Sequence, residues 1–135
     1  LKVGYIDQSG TWKIEPIFKA GSNFDIVSGL ARVDNGGWKY VNTNGEVFDF
    51  EENKDNYKFY DGMLMNTEGD LHPRYGFLDK NGEWAVKPIY GYVNRFQNGY
   101  SVVRYKNKWG LINKKGEWVL KPEYNYLKKR VSVLD

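Results

Sequence analysis

Glu51, Glu52, Asp55 and Asp61 crowd one stretch of the chain. Two carboxylates held in a cleft at a defined separation can act as general acid and base. Spread along a solvated loop they only hydrate it, and a loop is what this stretch reads as. His72 stands alone beside Pro73, with no Ser or Cys motif around it to complete a triad. With no cysteine and 1 histidine, the chain has no disulfide framework, no cysteine-based zinc site and no thiol nucleophile. Asp7, Asn42, Asp79 and Asn113 recur before turn glycines, and oxygen-rich turns can hold calcium. Two of these four are amides, however, and a hard cation prefers carboxylates. A side-chain oxygen nucleating a turn accepts Asp and Asn alike. These residues predict neither an enzyme nor a metal or cofactor site.

A basic series occupies the C-terminal half: Lys106, Lys108, Lys114, Lys115, Lys121, Lys128, Lys129 and Arg130. Tyr105, Trp109 and Tyr126 interleave with it, a pattern that suits nucleic acid. The pI of about 8.9 is below the usual nucleic-acid footprint, and no Gly-rich phosphate loop is present. The series reads as a solvated face, with nucleic acid disfavoured as a partner. Residues 1–67 carry 7 Lys+Arg and 10 Asp+Glu, a net of −3, and residues 68–135 carry 13 and 7, a net of +6. Such asymmetry bears on solubility and partner choice rather than on fold.

What positions these residues is a repeat. The chain has 135 residues, 41% hydrophobic and 17% aromatic, which is one globular domain and too aromatic for a disordered segment. No run approaches the ~18 apolar residues of a membrane helix, so no membrane span is expected. The first residue is Leu, so a trimmed or processed piece is expected, with any targeting segment out of sight. Gly76 to Trp84 (GFLDKNGEW) repeats as Gly110 to Trp118 (GLINKKGEW), followed in register by Val86-Lys87-Pro88 and Leu120-Lys121-Pro122. Gly4 to Trp12 (GYIDQSGTW), then Ile14-Glu15-Pro16, is a third copy. Trp38 to Val47 (WKYVNTNGEV), without the Pro, is a worn fourth. The turn glycines Gly10, Gly45, Gly82 and Gly116 are spaced by 35, 37 and 34 residues. A period of this size marks a repeat architecture whose units bury their apolar faces against neighbours.

The local pattern is β. Short runs rich in Tyr, Ile, Val and Trp are broken by Ser-Gly, Asn-Gly or Lys-Gly, which are hairpin signals. The prolines at 16, 88 and 122 are expected to end each second strand. A further strand precedes each hairpin, at Gly29–Val33, Gly62–Met65, Gly99–Val103 and Val131–Leu134. The fold expected is all-β, a tandem array of four three-stranded antiparallel meanders of roughly 35 residues within a single domain. The units run approximately over 1–28, 29–61, 62–98 and 99–130, with 131–135 as an extra strand. An open twisted array is favoured over a closed propeller-like ring, in which the extra strand would pair with Val3–Asp7. The connections hold Phe18, Phe24, Tyr90, Phe96, Tyr124 and Tyr126 and should be packed.

Trp12, Trp84 and Trp118 alternate with Ile14, Val86 and Leu120, which predicts core indoles holding units together rather than a ligand platform. The glycine of Trp109-Gly110 returns as Gly76 and Gly4 but is Lys39 in the worn unit. A strand glycine marks close approach, here expected from a bulky residue of a neighbouring unit.

The repeated unit resembles the bacterial WG-repeat (KWG repeat) family. The carrying residues are Lys108 to Asn113 (KWGLIN) and Gly116 to Tyr124 (GEWVLKPEY), with Tyr75 to Tyr90 and Val3 to Phe18 similar and Gly29 to Val33 like the preceding strand. Unit two departs at Lys39, Val47 and Phe50. The resemblance implies a bacterial, exported or cell-surface protein and transfers no catalytic residue. The reading that follows is a non-catalytic module binding a protein partner through an extended repeat surface. Tyr57, Tyr60, Tyr92, Tyr100, Lys114 and Lys115 are its candidate contacts. The alternative is a carbohydrate or cell-wall glycan module using the exposed tyrosines.

Overall fold

The computed structural model describes residues 1–49 and 58–126. These residues form strands arranged in four antiparallel sheets, with no helix among them. The first sheet pairs β1 (Val3–Ile6) with β2 (Trp12–Phe18). The second holds β3 (Ala20–Gly21), β4 (Leu30–Asp34), β5 (Trp38–Asn42) and β6 (Val47–Phe48). The third holds β7 (Phe59–Tyr60), β8 (Met63–Glu68), β9 (Arg74–Leu78) and β10 (Trp84–Tyr90). The fourth holds β11 (Tyr92–Val93), β12 (Tyr100–Tyr105), β13 (Lys108–Asn113) and β14 (Trp118–Tyr124). Within each sheet the strands follow chain order, so every sheet is a meander.

The array of antiparallel meanders is the one expected, with a fourth strand in three of the sheets. That strand is only two residues long and comes from the connecting segment: β3, β7 and β11. Two residues carry no period, which is why the connections read as loops. The strand proposed over Val131–Leu134, and its pairing with β1, lie outside the described residues.

Each turn is built alike. The side-chain Oδ1 of Asp7, Asn42, Asp79 and Asn113 accepts two backbone amides, from the residues two and four positions further on, at 2.8–3.1 Å. A single oxygen makes both bonds, so Asp and Asn serve equally. The turn glycines Gly10, Gly45, Gly82 and Gly116 all take a positive φ of 78–86°, which a residue with a Cβ rarely adopts.

The prolines do not end their strands. Val3 pairs with Phe18 and Tyr5 with Ile14, so two residues of β1 face four of β2. The same irregularity separates Tyr75↔Tyr90 from Phe77↔Val86, and Trp109↔Tyr124 from Leu111↔Leu120. Each bulge contains the Pro, whose missing N–H costs nothing where the ladder is already interrupted. Opposite it lies the strand glycine. A Cβ on Gly110 would lie 2.7 Å from the Leu120 carbonyl oxygen, 2.7 Å from Trp118 Cζ3 and 3.0 Å from the Pro122 nitrogen. Gly4 and Gly76 meet Ile14 and Val86 carbonyls and the following Pro in the same way. The close approach therefore comes from the hairpin's own second strand, not from a neighbouring unit. In the worn unit Lys39 holds this place, and among the described residues β5 pairs Tyr40 with Phe48 and Val41 with Val47.

Three clusters lie between successive sheets. Ile14, Phe18, Ala31, Val33 and Val41 join the first to the second. Leu30, Tyr40, Phe59, Leu64 and Leu78 join the second to the third. Met63, Phe77, Val86, Tyr90, Val93, Phe96, Val103 and Ile112 join the third to the fourth, with Phe77 and Phe96 edge to face at 4.6 Å. Each fully buried Phe contributes about 2–3 kcal/mol from area alone. Among the described residues no cluster joins the first sheet to the fourth and no barrel closes, so the contacts are those of an open array. Phe18, Tyr90 and Phe96 are buried as the connections required, whereas Tyr124 and Tyr126 are exposed.

Burial of all three repeated indoles is not found. Trp12 is 49% exposed and Trp118 36%. A second register shift in each hairpin, between Tyr5↔Ile14 and Ile6↔Trp12 and at the same place in β10 and β14, breaks the alternation that placed Trp and Ile, Val or Leu on one face. Trp84 packs on the cluster it shares with the second sheet. Trp118 sets its ring against Tyr90 of the third sheet at 6.0 Å. Cohesion with the preceding sheet is therefore the role of these two. Trp12 stands on the first sheet, with no described sheet before it.

Candidate functional site

The carboxylates do not converge on a reacting centre. Asp25 accepts the Asp61 amide at 3.1 Å and the Gly62 amide at 2.9 Å, tying the second sheet's leading loop to the third. Burial pushes its pKa up, but bonds from Ser28, Gly62 and Asp61 outweigh that and hold the carboxyl below the ordinary value. Asp61 repeats the motif one unit on, accepting the Gly99 amide at 2.6 Å. Its other oxygen pairs with Lys114 at 3.0 Å. Asp61 thus leaves the acidic stretch for a structural post. Glu51, Glu52 and Asp55 lie outside the described residues. Asp7 is held below the usual carboxylate range by the Ser9 hydroxyl and the Thr11 amide. Among the described residues no three His, Cys, Asp or Glu side chains gather as a metal site would require. His72 is exposed.

A cleft of about 670 Å³ lies on the seam of the third and fourth sheets. Tyr60 and Met65 line it from the third; Tyr92, Asn94, Arg95 and Gln97 line it from the fourth. The Arg95 guanidinium lies over the Tyr60 ring at 4.7 Å. Tyr92 is 42% exposed and packs edge to face against Tyr75 at 5.3 Å and Trp109 at 6.3 Å. The short strands explain the placement. β7 and β11 are the outermost strands of their sheets, so Tyr60 and Tyr92 stand at sheet edges.

Of the candidate contacts, the structure brings together Tyr60 and Tyr92. Tyr100 is half-buried, opposite Asn113, and does not line the cleft. Lys114 is engaged by Asp61, which removes it from the set of free cations. Lys115 is exposed on its hairpin tip. Tyr57 lies outside the described residues. Arg95, Asn94 and Gln97 were missed by sequence reasoning. They fall in a connection without periodicity, and only the aromatic at Phe96 marked the segment as packed.

No helix among the described residues is long and apolar enough to cross a membrane. Four meanders stacked through nearest-neighbour cores, with hairpins built on one template, define a tandem β-repeat protein. The model of the WG containing repeat matches residues 4–37, 75–109 and 109–129. The chain belongs to that family. The unmatched stretch after residue 37 holds the unit that carries Lys39 in place of the strand glycine. Comparison with curated proteins finds no match, and neither does comparison with solved structures.

Proposed function

We propose that this chain is a non-catalytic interaction module that binds a protein partner along the seam of the third and fourth sheets. The observation that carries the reading is the cleft where Tyr60, Tyr92 and Arg95 meet. Tyr and Arg beside each other in a partly desolvated groove are the residue types that dominate protein interfaces. The carboxylates support the same reading, because Asp7, Asp25 and Asp61 are each engaged in backbone hydrogen bonds. Affinity capture with the full chain should retain a defined protein, and Y60A/Y92A should release it while the circular dichroism spectrum stays unchanged. Retention of only a small molecule that is then turned over refutes the proposal. A second reading is a glycan site, favoured by the Asn94 and Gln97 amides beside the two rings. Titration with cell-wall glycans that shifts tryptophan fluorescence in wild type but not in Y92A would select it.

A further inference from the structure

Two arginines 30 residues apart in sequence meet beside this seam. Arg104 Nε and Arg74 Nη1 each lie 3.7 Å from the point that a Cβ on Gly91 would occupy. The two nitrogens are therefore separated by no more than twice that distance. Both side chains are exposed, and neither forms an ion pair among the described residues, whose ion pairs are Lys39–Asp49 and Lys114–Asp61. Glu68 is the register partner of Arg74 on β8 but makes no ion pair with it. Arg104 also lies 5.9 Å from the Trp109 ring centroid.

The fold does not require this arrangement. The Gly91 amide donates to the Arg104 carbonyl at 2.8 Å, and at the first seam the Lys19 amide donates to the Asp34 carbonyl at 3.0 Å. There the repeat frame sets a cation against an anion. In the third sheet, Thr67 holds the position of Arg104, opposite Tyr75 as Arg104 is opposite Trp109. Among the described residues, this seam alone carries Arg opposite Gly in the frame, with a second Arg converging on it. Like charges this close repel mildly in water, and an anion between them reverses the sign. The missing Cβ leaves room for it. A carboxylate suits the spacing, since its two oxygens can each accept a charge-assisted bond.

We infer that Arg74 and Arg104 form a fork for a carboxylate on an acidic peptide segment of the partner, seated beside the Tyr75–Tyr92–Trp109 row. This rests on the protein-partner reading of the same seam. A peptide fits better than a sugar because the rings meet at 64° and 76° and offer no common flat platform to a pyranose. It fits better than nucleic acid because two cations beside one glycine do not make a groove tracking successive phosphates.

The test is calorimetric titration of the full chain with a capped oligoglutamate peptide, an oligogalacturonate and single-stranded oligothymidylate. The peptide is expected to bind at low salt and to weaken at ~0.5 M salt. R74Q/R104Q should weaken it at least about tenfold with the thermal midpoint unchanged, while K115Q leaves it alone. Equal binding by wild type and R74Q/R104Q, or no peptide binding at all, overturns the inference. So does Arg-dependent binding of the uronate or the oligonucleotide in place of the peptide. A partner captured through Tyr60 and Tyr92 yet indifferent to R74Q/R104Q would overturn the fork while leaving the interaction module intact.

Discussion

Asn66 occupies a place the repeat assigns to valine. Val33 and Val103 are both fully buried, and Val103 and Asn66 face the strand glycines Gly110 and Gly76 in the same register. Asn66 is 1% exposed, yet its Nδ2 has no hydrogen-bond partner among the described residues. An unsatisfied buried donor costs about 1–3 kcal/mol, and burying a valine side chain contributes about 1.5–3 kcal/mol. Part of this is offset because the Asn methylene is already buried and the core must accommodate a branched residue. N66V should therefore stabilise the chain by about 1–2 kcal/mol, or roughly 4–8 °C in Tm for a chain of this size. Urea unfolding followed by tryptophan fluorescence measures it, with the slope m unchanged. The reverse swap, V103N, places the amide in an equivalent core and should cost about 3 kcal/mol. If N66V destabilises by 1 kcal/mol or more, the Nδ2 group has a partner and the frame argument fails.

Two further outcomes follow from the hairpins and the carboxylate ties. G110A drives a Cβ against the Leu120 carbonyl and should destabilise by about 2–3 kcal/mol, whereas K39A, at a place that already carries a side chain, should change stability by less than about 0.5 kcal/mol in the same urea experiment. Asp25 has a lowered folded-state pKa, so its contribution is present above the ordinary Asp value of about 3.9 and is lost as pH falls through the lower folded value. D25N should cost about 1 kcal/mol at pH 7, and its deficit relative to wild type should shrink as acid protonates Asp25, measured as Tm against pH.

The hairpins were legible because everything they need is local. The turn Asx, the amides it binds and the glycine with positive φ lie within four residues, so spacing alone displays them. The bulge was half legible. Gly76 and Pro88 each stood out, but their contact joins two strands, and a proline in a strand reads first as a stop. The exposure of Trp12 and Trp118 was hidden for the same reason, since alternation counts residues and a bulge adds uncounted ones. Asp25 and Asp61 were illegible as ties. Each caps amides 36 to 38 residues away, across a unit boundary, and nothing in the neighbouring residues marks a cap. Arg74 and Arg104 meet only because β9 and β11 pack where two sheets adjoin.

Among the described residues the seams differ, and the difference bears on the proposed interaction. The third and fourth sheets share eight buried residues in one cluster, against five at each of the other seams among the described residues. Asp61 adds the Gly99 tie and the Lys114 pair across the same boundary. In a repeat array stability is approximately a sum of unit and nearest-neighbour terms, so the best-joined pair opens last. Tyr60, Tyr92, Arg95, Arg74 and Arg104 all sit on that pair. The proposed groove is lined by two sheets that share this cluster, so little ordering entropy should be lost if a partner docks there. The worn unit is the second sheet, which is tied to the third through Asp25 and does not line this groove. Its departures at Lys39 and Val47 therefore leave the proposed groove untouched, because Tyr60, Tyr92 and Arg95 come from the third and fourth sheets.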